Sequence, residues 1–322
     1  MSTWRQSAST GTIKIARKLF ANTPVQRLPL TTTIYRKIFL FGTGGDEVVV
    51  TFRGVKLSAS TRDITIVPGL VGGFYEKIEL DVFERLASLS KTIIDVGANI
   101  GLYSCLAAAH ASGNSKIVAF EPIGENLEYL RRNIDQNGQS SRVAVEGQAV
   151  GESTGELEIF LAAGSIGTHS PSSKNVLGSQ DAVWVPVVTI DAYAADKLSG
   201  PVDLLKVDVE GYEGSVLRGA AETLKRDKPT LFVEFVPFHL TNCNFSPADF
   251  IDIVFSSYDN VFVSDEPRAT FRRCSKKDLL DEKYAHKNAN LIAVSAAMHA
   301  EHLTAVEDYR QNMNGKQGRN QV

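Results

Sequence analysis

Apolar residues recur along this chain in two alternating rhythms. Thr92–Val96 (TIIDV) is a β-branched run, and Leu102, Cys105, Leu106 and Ala109 then share one helical face; Lys116–Phe120 is extended, and Leu127, Leu130 and Ile134 return to helical spacing before Asn137-Gly138. Residues 143–150, 156–161 and 183–190 read as extended. Residues 202–207 form a buried strand, followed by a helix with the stripe Leu217, Ala220, Ala221 and Leu224, and 230–236 is a further apolar strand between Pro229 and Pro237. Ser246-Pro247 with Asp249 opens a helix carrying Ile251, Val254, Phe255 and Tyr258, and 261–263 and 291–294 complete the strands. Upstream, 47–57 and 63–67 read as short strands punctuated by Gly54 and Pro68-Gly69, and Ile78, Val82, Leu86 and Leu89 lie on one helical face. Such alternation predicts an α/β fold, a mostly parallel sheet with helices on both faces.

The same pattern divides the chain. Residues 1–73 read as a basic arm with short strands, 74–298 as one α/β domain, and 299–322 as a polar flexible tail. The first 45 residues hold Arg5, Lys14, Arg17, Lys18, Arg27, Arg36 and Lys37 and no acid. A solvated arm, a peripheral contact with an anionic membrane and a cleaved address all suit this bias.

Composition narrows the partners. Of 322 residues 43% are hydrophobic, enough for a sizeable core, and a net charge of −3 offers no general attraction to nucleic acid. Cys105, Cys243 and Cys274 form no CxxC pair, which argues against a disulfide scaffold and for a reducing setting. No apolar run approaches the roughly 20 residues that cross a bilayer. The expected location is cytoplasmic, at most membrane-peripheral.

The chemistry centres on Asp95-Val96-Gly97-Ala98-Asn99-Ile100-Gly101, between the first parallel strand and its helix. Glycines there would let a ligand lie across the turn beside unpaired helix N–H groups. Glu121 ends the second strand, where a carboxylate can accept both hydroxyls of a ribose. A dinucleotide fingerprint needs GxGxxG; here the spacing is Gly97-x-x-x-Gly101 with Asp95 close by, which suits a cationic ligand better than a pyrophosphate.

At these residues the chain resembles a known family. TIIDVGANIGLYSCLAA, IVAFEP, QAVGESTGELEIFL, VTIDAY, LLKVDVEGYEGSVLRGAAETL and LFVEF, in that order within residues 74–236, look like the FkbM-type S-adenosylmethionine-dependent methyltransferases. The resemblance implies a Rossmann-like class I fold, seven strands with the last reversed, and S-adenosyl-L-methionine as cofactor. It implies O-methylation of a small molecule or glycan hydroxyl: a sugar, lipid-linked sugar or polyketide. Carried over by position, Asp95, Gly97, Ala98, Asn99 and Gly101 would line the methionine end, Glu121 with Pro122 the ribose, Gln148 and Ala149 the adenine, and Asp208 would close the site. Tyr75 and Glu76, within GFYE, would touch substrate and cofactor.

An alcohol acceptor needs a base, and Asp208, Glu210 and His239 follow the fourth and fifth strands, where ligands of such sheets sit. Glu234, inside an apolar strand, needs a polar partner, for which Lys206 is the candidate, or an active-site role. Thr168, His169 and Ser170, in the irregular stretch 162–180, could touch the acceptor. Arg268, Arg272, Arg273, Lys276 and Lys277 form a basic group for an anionic substrate or a solvated face. No set of residues has metal-ligand spacing, so no structural metal is expected, with Mg²⁺ on Asp208 and Glu210 left open. Two rival classes stand beside methyl transfer: an NAD-dependent oxidoreductase, and a non-catalytic membrane-associated scaffold that retains the fold. The oligomeric state is not legible.

Overall fold

The structure, a computed structural model, describes residues 47–317 apart from 62, 64, 65, 73, 74, 164, 166, 177, 179, 180, 266–269 and 286. The basic arm lies outside the described residues. So do Arg268 and residues 318–322.

The first predicted strand is a hairpin. β1 (Glu47–Phe52) pairs antiparallel with β2 (Val55–Ser60), and the turn Arg53-Gly54 has φ of 49° and 88°, the two left-handed residues that a tight hairpin requires. Ile66 and Val67, expected to belong to a strand over 63–67, instead start a helix, α1 (Ile66–Gly72). Asp63 accepts a hydrogen bond from the Ile66 N–H at 3.1 Å, and Pro68 lies in the first turn, where its missing N–H is not needed. α2 (Lys77–Ser88) then buries Ile78, Val82, Phe83 and Leu86 but ends before Leu89, which is exposed.

The main sheet has eight strands. Five are parallel, with β3 (Thr92–Val96) in their middle, flanked by β4 (Lys116–Phe120) and β5 (Val143–Glu146) on one side and by β9 (Leu204–Val207) and β10 (Thr230–Phe235) on the other. β13 (Ala289–Val294) runs antiparallel between β10 and β11 (Asn260–Asp265), the reversed last strand that the family implies. One further edge strand, β12 (Thr270–Arg273), pairs with β11; its sequence, TFRR, had read as part of a basic cluster. A separate three-stranded sheet holds β6 (Ala149–Val150), β7 (Gly155–Phe160) and β8 (Ala182–Val188). The run 143–150, expected to be continuous, thus breaks at Gly147-Gln148 and changes sheet.

Successive strand residues face opposite ways, and the two faces bury two cores. Ile93, Ile117, Leu204 and Phe232 join the cluster under α2 and α3 (Leu102–His110), whereas Ile94, Val118, Leu205 and Val233 join the one under α5 (Ile190–Lys197), α6 (Glu213–Arg218), α7 (Ala221–Arg226) and α9 (Pro247–Ser257). Asp95, Lys206 and Glu234 each lie two residues on from members of the first set, so all three are directed to the α2/α3 face. α4 (Gly124–Gln136), α8 (Pro237–Asn242) and α10 (Lys276–Leu279) complete the layers.

Most of the stretch expected to be a flexible tail is helical, and its last residues, 318–322, lie outside the described ones. Residues Ala300–Gln317 form α11, which buries His302, Val306 and Tyr309 and ties Tyr309 Oη to Asp81 at 3.1 Å. Among the described residues no helix is long and apolar enough to cross a membrane.

Candidate active site

Three cavities adjoin one another along the carboxyl ends of β3, β4, β9 and β10. The first is lined by Glu121, Pro122, Asn126, Gln148, Ala149 and Tyr212, with Phe120, Ile123, Leu157 and Ile159 as apolar walls. The second, about 200 Å³, is lined by Tyr75, Glu76, Ala98, Thr168, Glu234 and Asn288; both cavities share Gly97, Asn99, Asp208 and Glu210. The third is an open cleft of about 810 Å³ reached through Glu76 and Asn288 and bounded by Asp265, Arg272, Lys283 and Lys287.

The glycine turn keeps its predicted place for a different reason. Gly97 has φ 77°, and a Cβ there would stand 1.8 Å from the Asp208 carbonyl oxygen; at Gly101, φ 89°, a Cβ would stand 2.6 Å from Leu130 Cδ1. The chain itself, not a ligand, forbids side chains at these two positions. Gly97 still lines both inner cavities, whereas Gly101 lies behind them.

Asp95 is also relocated. It is fully buried, accepts from Ser104 Oγ at 2.6 Å and pairs with Lys206 Nζ at 3.2 Å, and it reaches none of the three cavities. Strand register explains this, because Asp95 and Lys206 are lateral neighbours on β3 and β9. Lys206 also donates to the Gly97 carbonyl at 2.9 Å and stands 3.7 Å from Asp208. The carboxylates that line the second cavity are therefore Glu76, Asp208, Glu210 and Glu234, and Asp95 is not among them. Glu76 accepts from Tyr103 Oη at 2.6 Å, and burial, with the Asp208 charge nearby, pushes its carboxyl up to about 7.

Glu121 stands where the sequence placed it. Its two oxygens accept from the Asn99 and Ile123 N–H groups, both at 2.9 Å, Asn126 Nδ2 donates to one of them at 3.5 Å, and the residue lines the first cavity; a carboxylate's about four lone-pair sites leave room for one further donor. Burial outweighs these bonds and pushes its carboxyl up to about 7.

The turn after β9 presents Asp208 and Glu210. Glu213 accepts from the Val209 and Gly211 N–H groups at 3.0 and 3.1 Å, which accounts for the second acid of VEGYE. Ser170, expected to touch the acceptor, is instead fully buried and donates to the Glu210 carbonyl at 2.7 Å. Thr168 does line the second cavity; His169 lines the first and accepts from the Ala162 N–H at 3.0 Å, and burial lowers its imidazole pKa. Asn175, unread in the sequence because its stretch has no periodicity, donates to the carbonyls of both Glu210 and His239 at 3.1 and 3.2 Å.

Glu234 does not pair with Lys206, whose neighbour on β10 is Phe232. Its partner is Asn288, donating at 2.8 Å, and burial together with the charges of Asp208 and Glu210 holds its carboxyl well above the ordinary range. His239 Nδ1 lies 3.5 Å from Glu210 Oε2 but lines none of the three cavities; burial lowers its pKa. Burial, then the Asp208 charge, raises that of Glu210. In the basic group, Arg272 reaches Tyr284 Oη and Asp278, Arg273 reaches Glu307 and Lys276 reaches Asp252, so local acids engage most of it.

A lone pair left free on Glu121 beside an apolar slot, followed by the carboxylates of the second cavity, fits a nucleoside that carries a positive charge. The profile of the Methyltransferase FkbM domain matches residues 95–262. Methyltransferase sdnD of Sordaria araneosa is 30% identical over 177 residues, covering 46% of this chain and 68% of that protein. The hexuronic acid methyltransferase AglP of Haloferax volcanii is 30% identical over 158 residues, and the chain spans 58% of its length. The crystal structure of Methyltransferase FkbM from Methylobacillus flagellatus KT superposes with a TM-score of 0.41 at 16% identity, over 82% of this chain and 59% of that one. The profile and the two relatives displace the dinucleotide oxidoreductase reading. With half its length, including β4, β5, β9 and β10, inside one profile, the chain belongs to the FkbM methyltransferase family.

Proposed function

We propose that this chain transfers a methyl group from S-adenosyl-L-methionine to a hydroxyl of a sugar or similar small molecule. The observation that carries the reading is the line of three cavities, with a ribose-competent carboxylate at one end and a polar cleft at the other. Glu121 would hold the ribose hydroxyls, and Phe120, Ile123, Gln148, Ala149 and Leu157 would enclose the adenine. Glu76 and Asp208 would face the cationic end, the task first given to Asp95. When bound, the cofactor supplies an electrophilic methyl group. The chain's part is to hold the acceptor oxygen in line, about 3 Å away, and to receive its proton.

Asp208 is best placed as that base. It lines both inner cavities, its side chain is 36% exposed, and Lys206 at 3.7 Å stabilises the turn that carries it. The outer cleft offers Asn288, Asn290, Arg272, Lys283 and Lys287 to a polyhydroxylated and anionic acceptor, and the AglP relative is named for a hexuronic acid. The test is incubation with methyl-labelled S-adenosylmethionine and a panel of hexuronic acids, neutral sugars and polyketides, with products resolved by mass spectrometry. Label in a hydroxyl-bearing product, lost in Asp208→Asn, supports the reading; label in no acceptor contradicts it.

A further inference from the structure

We infer that Glu210, Glu234 and His239 form a binding site for a first-row divalent cation of the Mn²⁺ type at the wall of the second cavity. The three come from separate elements, the turn after β9, the end of β10 and α8, yet one donor atom from each lies within 4.8 Å of the other two. Glu234 is only 9% exposed, and while one of its oxygens accepts from Asn288, the other is buried without a hydrogen-bond partner. His239 Nδ1 is likewise buried and unpartnered, with Glu210 Oε2 at 3.5 Å. A buried carboxyl oxygen and an imidazole nitrogen left without partners are costly, and a cation between them would satisfy both. Lys206 is engaged elsewhere, by Asp95 and the Gly97 carbonyl.

The backbone beneath these side chains is fixed in advance. Asn175 ties the Glu210 and His239 carbonyls together, and Ser170 adds a second bond to Glu210. Metal bonds of about 2.1 Å place ligands about 3 Å apart, a closure that side-chain rotation supplies. Two carboxylates with one imidazole favour Mn²⁺ or Zn²⁺ over Mg²⁺ or Ca²⁺, and three protein ligands leave positions open. Because Glu210 and Glu234 both line the second cavity, an open position would face an acceptor hydroxyl and make its proton easier for Asp208 to take. That role rests on the methyl-transfer reading; the existence of the site does not.

The test uses the full chain, stripped with EDTA and titrated with Mn²⁺, following free Mn²⁺ by electron paramagnetic resonance and binding heat by calorimetry. One ion per chain is expected, with affinity falling at least tenfold in Glu234→Gln and in His239→Gln but unchanged in Asp252→Asn, a remote exposed acid. Thermal melting of each variant separates lost ligation from lost folding. Absence of binding by the wild-type chain to Mn²⁺ and Zn²⁺, or binding that both folded variants retain, overturns the site. Methyl transfer at full rate in EDTA with no ion bound overturns the ion's role toward the acceptor while leaving the transferase reading intact; ion binding without any methyl transfer supports the site and removes that reading.

Discussion

Two carboxylates of similar sequence position have opposite duties. Asp95 and Glu121 each close one of the first two parallel strands, and their residue types and places were legible in the sequence. Their partners were not, because a partner depends on which strand lies alongside. Register sets Asp95 against Lys206, so Asp95→Asn should leave a buried lysine with only the more distant Asp208 as counter-charge and cost about 3 kcal/mol of stability, measured by urea denaturation. Glu121 faces a cavity, and its effect should be read in binding. Its carboxyl sits at about 7 in the folded chain against 4.5 ordinarily, so below pH 7 it holds a proton and would offer ribose hydroxyls a weaker acceptor. Affinity for S-adenosylmethionine should therefore be flat above pH 7 and fall towards tenfold per unit below it, and Glu121→Gln should remove the slope. The same shift means that this acid costs stability as pH rises from 4.5 to 7, since the unfolded chain releases its proton first.

Strongly periodic elements were read where they stand: the parallel strands and α2, α3, α4 and α9. Misreadings fall where a local device overrides composition. Asp63 and Pro68 turn an apolar run into α1, Gly147 lets one extended stretch serve two sheets, and the stripe from Leu217 to Leu224 breaks into α6 and α7 at Gly219-Ala220. At that break a Cβ on Gly219 would lie 1.9 Å from the Gly151 carbonyl oxygen. Gly97 is tighter still and also left-handed. Gly97→Ala should destabilise the fold by at least about 3 kcal/mol, observed as a lowered denaturation midpoint whether or not ligand is present. A loss of nucleoside affinity with stability unchanged would return this glycine to the ligand-clearance role that the sequence suggested.

At the scale of the molecule, the sheet separates two cores and leaves its carboxyl edge for the cavities, an arrangement the alternating strands and helices announced. The closing helix was not announced. α11 covers the end of the β3 side through His302, which lies 2.7 Å from Thr230 Oγ1 and 3.4 Å from Ser90 Oγ, and burial lowers its pKa from 6.5 to about 4. A depressed histidine stabilises the folded state above pH 6.5 and loses that contribution as pH falls towards 4. Hydrogen exchange in α11 should thus accelerate between pH 6.5 and 4, beyond the intrinsic change of exchange rate with pH, and do so less in His302→Gln.

Calorimetric titration of the chain with S-adenosylmethionine at pH 8, for the wild type and Glu121→Gln, tests most directly whether the cavity at the end of β4 is a nucleoside site. The expected result is one molecule bound per chain, with the variant weaker by about 1.5–3 kcal/mol, the usual worth of hydrogen bonds to a charged group. Equal affinity in the two proteins, or no heat from the wild type, would contradict the placement of the cofactor.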